Sequence, residues 1–358
     1  MAGVGLKGRI DPEFWRGRRV FLTGHTGFKG AWLALWLTRM GAVVHGYALA
    51  AEKPSLFDSA RVESLVSSHI ADVRDSARLT LAVARARPEI VFHFAAEALV
   101  RRAFRDPAAC FATNVTGTVN LLETLRAGTP PKAIVIATTD KVYRNDESGV
   151  AFNEDAPLGG REPYSASKVA QEMVAGAYGA GYFAPMGVKV AAVRAGNVIG
   201  GGDFGEDRLI PDLVRAFIAG KPAPIRNPAA TRPWQHVLDC LAGYLLYAEA
   251  LAAGRDLPRA LNFGPGGSAL SVASVANAFG AELGRAQLWT HAPQDGPPEA
   301  KMLALDASRA GALLGWSPRL AGARAITQAA AWYRLFLGHH DMRDASLAEI
   351  DAFMSAQS

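Results

Sequence analysis

Tyr164 and Lys168 lie four positions apart in Tyr164-Ser165-Ala166-Ser167-Lys168, which follows Pro163 and so opens like a helix. On a helix, positions i and i+4 share one face, which sets a phenol beside an ammonium. A free tyrosine titrates at about 10 and is too weak a base near neutrality. A neighbouring positive charge favours the phenolate, and the phenol then has the chemistry of a general base. An exposed tyrosine–lysine pair without function has the same spacing, so a second motif has to decide. Val20-Phe21-Leu22 runs into Thr23-Gly24-His25-Thr26-Gly27-Phe28-Lys29-Gly30, and Ala31-Trp32-Leu33-Ala34-Leu35-Trp36-Leu37 follows. Strand, glycine turn and helix, in that order, make a phosphate cradle. Gly24 permits the tight turn, Gly27 lets backbone approach a pyrophosphate, and Gly30 lets the helix pack on the strand. A glycine triplet alone is a weak signal, since a turn without ligand reads the same way. With both flanks present the turn is read as a dinucleotide site. A positive nicotinamide ring then becomes a second influence on Tyr164, and Lys168 a holder of the nicotinamide ribose.

The elements that must position these groups alternate along the chain. After the first helix, Ala42-Val43-Val44-His45-Gly46-Tyr47 is read as a second strand ending near Ala48. Residues 68–73 follow as a third, with Asp72 at its carboxyl end, and 89–97 as a buried fourth that runs into Ala95, Ala96 and Glu97. Residues 132–137 and 188–193 are the fifth and sixth. Helical spacing covers 76–87, stopped by Pro88, and 114–127, where Val115, Val119, Leu122 and Leu125 share one side. Alternation of this kind predicts an α/β fold, a doubly wound parallel Rossmann-type sheet with ligands at the carboxyl ends of its strands. Thr138-Thr139-Asp140-Lys141 sits at such an end. The second strand ends without an acidic residue for the adenosine ribose and without an arginine in its place, which argues for NAD over NADP. The pattern breaks after Gly196. Residues 17–199, rejoined by 234–264, are assigned to the NAD-binding domain, and 200–233 with 265–340 to a smaller C-terminal substrate-binding lobe.

Half of the 358 residues are hydrophobic and a fifth are charged, which excludes a disordered chain. Cys110 and Cys240 are the only cysteines, so no disulfide framework is expected and a reducing compartment is implied. The net charge of +5 at pH 7 suits an anionic ligand, but the arginines are scattered and nucleic acid is a poor partner. Arg39 interrupts the best candidate for a membrane span. Asp11, Glu13, Arg16 and Arg18 occupy the place of a signal peptide's apolar stretch, which leaves the cytoplasm as the expected location. His93 and His236 have no metal-ligand spacing, are read as structural, and leave no metal site expected.

The glycine turn, Ala95-Ala96-Glu97, the fifth-strand threonines and YSASK together resemble the extended short-chain dehydrogenase/reductases. GHTGFKG, PSLF at 54–57, TTDKVY, RAGNVIGGGD, DRLIPD and RPWQHVL resemble more narrowly the CDP-glucose 4,6-dehydratases, over about 18–332. The resemblance implies a reaction. Tyr164 removes the proton of the sugar 4-hydroxyl while C4 gives hydride to NAD, water then leaves across C5–C6, and hydride returns to C6. It places Thr139 on the 4-oxygen, Asp140 as the acid for the 6-hydroxyl, and Lys168 beside Tyr164. Lys141 stands where dTDP-glucose enzymes carry a glutamate base, and is either the C5 base or an electrostatic anchor. Gly24, His25, Thr26, Gly27, Phe28, Gly30, Asp72, Val73, Ala95, Ala96 and Asn114 are assigned to NAD with Tyr164 and Lys168. Glu97, Thr139, Asn197, Leu209, Arg226 and Arg232 are assigned to a nucleotide-diphosphate sugar, CDP-glucose first. Asn197 has a bland alternative as a turn residue. His25 and Lys29 are read either as tuners of cofactor affinity or as surface residues. Glu299-Ala300 resembles a late substrate loop, although Pro298 stands where histidine is usual. A homodimer or dimer of dimers, paired through the helices bearing Asn114 and Tyr164, is implied too. The rivals are a 4-epimerase or reductase of the same superfamily, disfavoured by Asp140, and a non-catalytic dinucleotide sensor.

Overall fold

A computed structural model describes residues 8–267, 269–292 and 302–356; the 298–300 stretch lies outside them. β-Branched and aromatic runs become the strands β1 Arg19–Thr23, β2 Val43–Ala48, β3 Ser67–Ile70, β4 Ile90–His93, β5 Ala133–Ala137 and β6 Lys189–Ala195. Four short strands then leave the main sheet: β7 Asn197–Ile199, β8 Ala223–Ile225, β9 Thr231–Arg232 and β10 Trp234–His236. The chain returns to the sheet with β11 Ala260–Phe263. The main sheet has seven strands in the order β11-β6-β5-β4-β1-β2-β3, and all its pairings are parallel. β1 lies between β2 and β4, so the connections leave it in opposite directions and open a crevice at its carboxyl end. The glycine turn fills that crevice.

Helices cover both faces. Phe28–Arg39 and Val237–Ala252 pack on one, with Trp32, Trp36, Tyr244 and Tyr247 in its core. Ser76–Ala86, Gly117–Ala127 and Pro163–Tyr178 supply the other, where Leu79, Leu121, Leu125 and Ala175 meet Phe21, Val91 and Ile134. Off the main sheet, β7 pairs with β10 in parallel, Asn197 opposite Trp234, while β9 and β8 pair with Leu270–Ser271 and Trp289–His291. The helix Leu209–Ala219 precedes β8.

The fourth strand, read as 89–97, ends at His93 and leaves Ala95, Ala96 and Glu97 in the loop beyond it. Two further boundaries differ from the sequence reading near the site. The third strand ends at Ile70, three residues early, so Asp72 lies beyond it. Its carboxylate accepts from Arg74 N at 2.8 Å and pairs with the Arg74 guanidinium at 2.6 Å, and this local turn competes with the ladder. The helix expected from Asn114 begins as a π-turn over Ala112–Thr116, and regular α-helix runs only from Gly117 to Ala127. Asn114 is held sideways there, with Oδ1 accepting from Glu97 N at 2.8 Å and Nδ2 donating to Ser167 Oγ at 2.8 Å.

Candidate functional site

The cradle is built by close approach. Gly24 has φ +76°, and a Cβ there would stand 2.7 Å from Ala95 N; one on Gly30 would stand 2.0 Å from Gly24 O. Only glycine fits either place. Gly27 caps the helix Phe28–Arg39 without any side-chain bond to its first turn, leaving those N–H groups to face a phosphate. Thr26 Oγ1 donates to Leu49 O at 2.8 Å and ties the turn to the loop after β2. His25 is fully buried, its Nε2 2.7 Å from Ser68 Oγ, so it is no surface residue. Burial, and then the charge of His69, lowers its imidazole to about 4, so it is neutral at physiological pH. Lys29 is half-buried with its ammonium 5.7 Å from the Tyr244 ring centroid. Val73 is buried, and a Cβ on Gly117 would meet it at 2.5 Å.

These features suit a dinucleotide, with one gap. β2 ends in Tyr47-Ala48, and Glu52, the next acidic residue along the chain, gives its carboxylate to Arg102 at 2.5 and 2.8 Å. No carboxylate on β2 itself reaches a ribose. The protein is therefore expected to leave gel filtration largely free of NAD and to need added NAD for activity. Stoichiometric NAD surviving that step, measured by absorbance of the denatured supernatant, would contradict the expectation.

Beneath the cradle a buried chain of hydrogen bonds connects Thr23 to Lys168. Thr118 donates to Asn114 O at 2.7 Å, so its oxygen can only accept from His93 Nε2 at 2.9 Å and from Gln171 Nε2 at 2.8 Å. His93 is thereby the Nε2–H tautomer, and its Nδ1 accepts from Thr23 Oγ1 at 2.7 Å. Burial lowers the His93 pKa to about 3 and keeps the ring neutral. Thr23 in turn accepts from Phe94 N and Ala95 N, both at 3.1 Å, and so fixes the strand end that carries Ala95 and Ala96. Gln171 Oε1 accepts from Lys168 Nζ at 2.8 Å, and Ala137 O accepts from the same ammonium at 3.1 Å. Two of its three N–H bonds are thus assigned, and one is left for the cleft.

Tyr164 and Lys168 open the helix Pro163–Tyr178, whose N-cap Glu162 accepts from Tyr164 N and Ser165 N at 2.7 Å. The electrostatics run against the sequence argument. Burial raises the Tyr164 phenol above its ordinary value, and the Thr139 hydroxyl and Arg208 charge offset this in part. Burial, followed by repulsion from Lys29, lowers Lys168 to about 7. Desolvation outweighs the pairing that the spacing suggested.

Across the cleft, Thr139 Oγ1 donates to Asp140 Oδ1 at 3.0 Å and Lys141 Nζ reaches the same oxygen at 3.1 Å. Asp140 is fully buried, and its Oδ2 has no partner among the described residues. Asn197 Oδ1 is likewise buried and unpartnered there, at the start of β7. That is unlike a turn residue satisfied by its own backbone. Arg232 is 8% exposed on β9 and donates through Nη1 to Thr231 O at 2.9 Å. Arg226 lies 3.6 Å from Asp207, Leu209 begins the helix Leu209–Ala219, and Glu97 accepts from Leu99 N at 2.9 Å. Sequence reasoning missed Arg208, paired with Asp203 at 2.9 Å beside Tyr164, and the whole Thr23–Lys168 chain. The Arg208 signal lay inside the DRLIPD motif. His236 is buried, its imidazole lowered to about 3 by burial, and among the described residues no group of His, Cys, Asp and Glu can hold a metal ion.

A dinucleotide cradle at the switch point and a tyrosine–lysine helix beside it define a site of the short-chain dehydrogenase/reductase kind. Residues 20–264, more than half of the chain, match the NAD dependent epimerase/dehydratase family, and the chain belongs to that family. It is 45% identical over 355 residues to a CDP-glucose 4,6-dehydratase of Salmonella typhimurium, covering 97% of this chain and 99% of that one. A dTDP-glucose 4,6-dehydratase of Xanthomonas campestris pv. campestris is 30% identical over 339 residues, 87% of this chain and 92% of its own. The crystal structure of DesIV, a dTDP-glucose 4,6-dehydratase from Streptomyces venezuelae with NAD and TYD bound, matches with a TM-score of 0.78 at 26% identity. That match covers 91% of this chain and 99% of DesIV.

Proposed function

We propose that the chain is an NAD-dependent hydro-lyase that converts CDP-glucose to CDP-4-keto-6-deoxyglucose. One observation carries this reading: Asp140, between Thr139 and Lys141, keeps a buried carboxylate oxygen with no partner among the described residues, just beyond the carboxyl end of β5 and near Tyr164. Bound NAD supplies the acceptor and later donor of hydride, and the positive ring that draws Tyr164 toward ionisation. Tyr164 takes the proton from the 4-hydroxyl, and Thr139 holds the 4-oxygen. Lys168 turns its third N–H toward the nicotinamide ribose. Asp140 presents Oδ2 to the departing 6-hydroxyl. Asn197 and Arg232 bind the diphosphate end and Arg226 stands on the nucleotide side, with Glu97 and Leu209 lining the rest of the substrate. Of these residues Leu209, Arg226 and Arg232 belong to the smaller lobe assigned to 200–233 and 265–340. Exposed Met173, at 58%, lies on the helix that bears Tyr164, and exposed Phe111 and Tyr182, at 38% and 50%, lie on segments continuous with the two helices expected to pair, which supports a homodimer. Among the described residues no helix is long and apolar enough to cross a membrane, and two buried free thiols suit a reducing cytoplasm.

The reading is tested by supplying NAD with CDP-, dTDP-, UDP- and GDP-glucose side by side. A 4-keto-6-deoxy product formed with the highest kcat/KM from CDP-glucose is the expected result. A 4-epimer, or no product from any of them, would overturn it. Lys141 has its own test. As the partner of Asp140 it must give up a shared proton before acting as a base, which favours the anchor role. Lys141→Glu is then expected to lose more activity than Lys141→Met, because it sets two carboxylates side by side. The reverse order, in initial rates of 4-keto product, would make Lys141 the C5 base.

A further inference from the structure

The segment that carries Thr139, Asp140 and Lys141 is a single 3-10 turn, Asp140–Val142, and a turn that short does not fix its own position. Both of its ends are gripped from below by one buried ion pair. Glu172 and Arg194 have side chains only 6% and 5% exposed, and Arg194 Nη2 lies 2.5 Å from Glu172 Oε2. Before the turn, Thr138 Oγ1 donates to Glu172 Oε1 at 2.6 Å. After it, the Tyr143 hydroxyl accepts from Arg194 Nη1 at 2.8 Å and donates to Asn262 Oδ1 at 2.6 Å. Glu172 stands one helical turn beyond Lys168 and two beyond Tyr164. Arg194 is on β6, next to the strand from which the turn emerges. The pair thus touches the helix of the proposed oxidation chemistry and both ends of the turn of the proposed elimination chemistry.

We infer that Glu172 and Arg194 are positioning residues that hold the Thr139–Lys141 turn in register with Tyr164 and Lys168, through the hydroxyls of Thr138 and Tyr143. The inference rests on the dehydratase reading given above. A buried ion pair is a poor source of stability, since apolar residues of the same volume serve as well; its value lies in fixing one geometry. Here the geometry has a use, because C4 must face Tyr164 while C6 faces Asp140 in a single bound sugar. Displacement of the turn by a fraction of an ångström loosens the Thr139 contact to the 4-oxygen but leaves Tyr164 on its own helix, so elimination at Asp140 falls more than C4 oxidation and oxidised sugar accumulates before water is lost.

Removal of Glu172 or Arg194 leaves a buried charge alone and endangers folding, so the test deletes only the two hydroxyls. Thr138→Val and Tyr143→Phe, singly and together, keep the pair. Each single variant is expected to lower kcat about tenfold, and the double variant about a hundredfold, with KM for CDP-glucose within about twofold. Acid quench during turnover should show CDP-4-ketoglucose accumulating relative to parent. Backbone amides 140–142 should exchange hydrogen about tenfold faster in the double variant, a readout independent of substrate or cofactor. Unchanged exchange of those amides overturns the inference, whatever the activity. So does a kcat within about twofold of parent, or a fall in kcat without trapped 4-ketoglucose. A parent protein that dehydrates no nucleotide-diphosphate glucose refutes the functional reading instead, and the exchange rates still decide whether the pair holds the turn.

Discussion

Tyr164→Phe is expected to abolish turnover while NAD and CDP-glucose still bind. The substitution removes one hydroxyl from a side chain only 8% exposed and leaves its ring packed against Ala103 and Cys110. General-base catalysis by a positioned side chain contributes about a hundredfold to ten-thousandfold, so kcat should fall by that order. KM should move little, since a hydroxyl whose main work is proton transfer acts mostly in the transition state. Burial already raises the phenol's pKa, so a base at this position depends on positive charge supplied with the cofactor. The steady-state rate and the dissociation constants of both ligands give the check. Retention of even a tenth of the parent rate would remove Tyr164 from the base role.

Arg232→Ala is expected to act on binding and to leave chemistry nearly alone. Guanidinium offers a planar fork of donors with a charge that persists at working pH, which suits a diphosphate. The diphosphate is remote from C4, C5 and C6, so its contacts differ little between ground and transition states. A charged hydrogen bond is worth about 1.5–3 kcal/mol, which raises KM about tenfold to a hundredfold. Arg232→Lys should recover part of this by keeping the charge. The competing view pairs Arg232 structurally with an acid such as Asp239. However, both Asp239 oxygens already accept backbone N–H groups, from Arg319 and Leu320, each at 2.8 Å. An unchanged KM in a folded alanine variant, with a lower melting temperature, would favour the structural view.

Most of the scaffold was legible because its signals are local. The glycine turn and the YSASK helix each confine their chemistry to one short run, and the apolar strands declare themselves in four to seven positions. Errors arose where side chains compete with the backbone. Asp72 turned the chain early through Arg74, and Asn114 drew its helix into a π-turn. The cost of burial at Tyr164 is not legible in the sequence, because spacing shows which groups are near, whereas burial decides what their charges cost. Glu172 with Arg194, and His93 with Thr118 and Gln171, are joined only by the topology of the sheet. No pattern in the chain announces them.

The run of hydrogen bonds from Lys168 to Thr23 has a consequence for proton traffic. A relay conducts when each member can accept a proton on one side and release one on the other. Here Thr118 has spent its hydrogen on Asn114 O, Gln171 is an amide, and His93 resists protonation down to about pH 3. The chain is therefore an insulator, closed toward the core by the same bonds that hold it in place. With Tyr164 as the proposed base, the proton it takes from the sugar has no exit along this chain. It leaves by the mouth, or returns to the sugar oxygen from which it came, and the ledger of the reaction closes above the sheet.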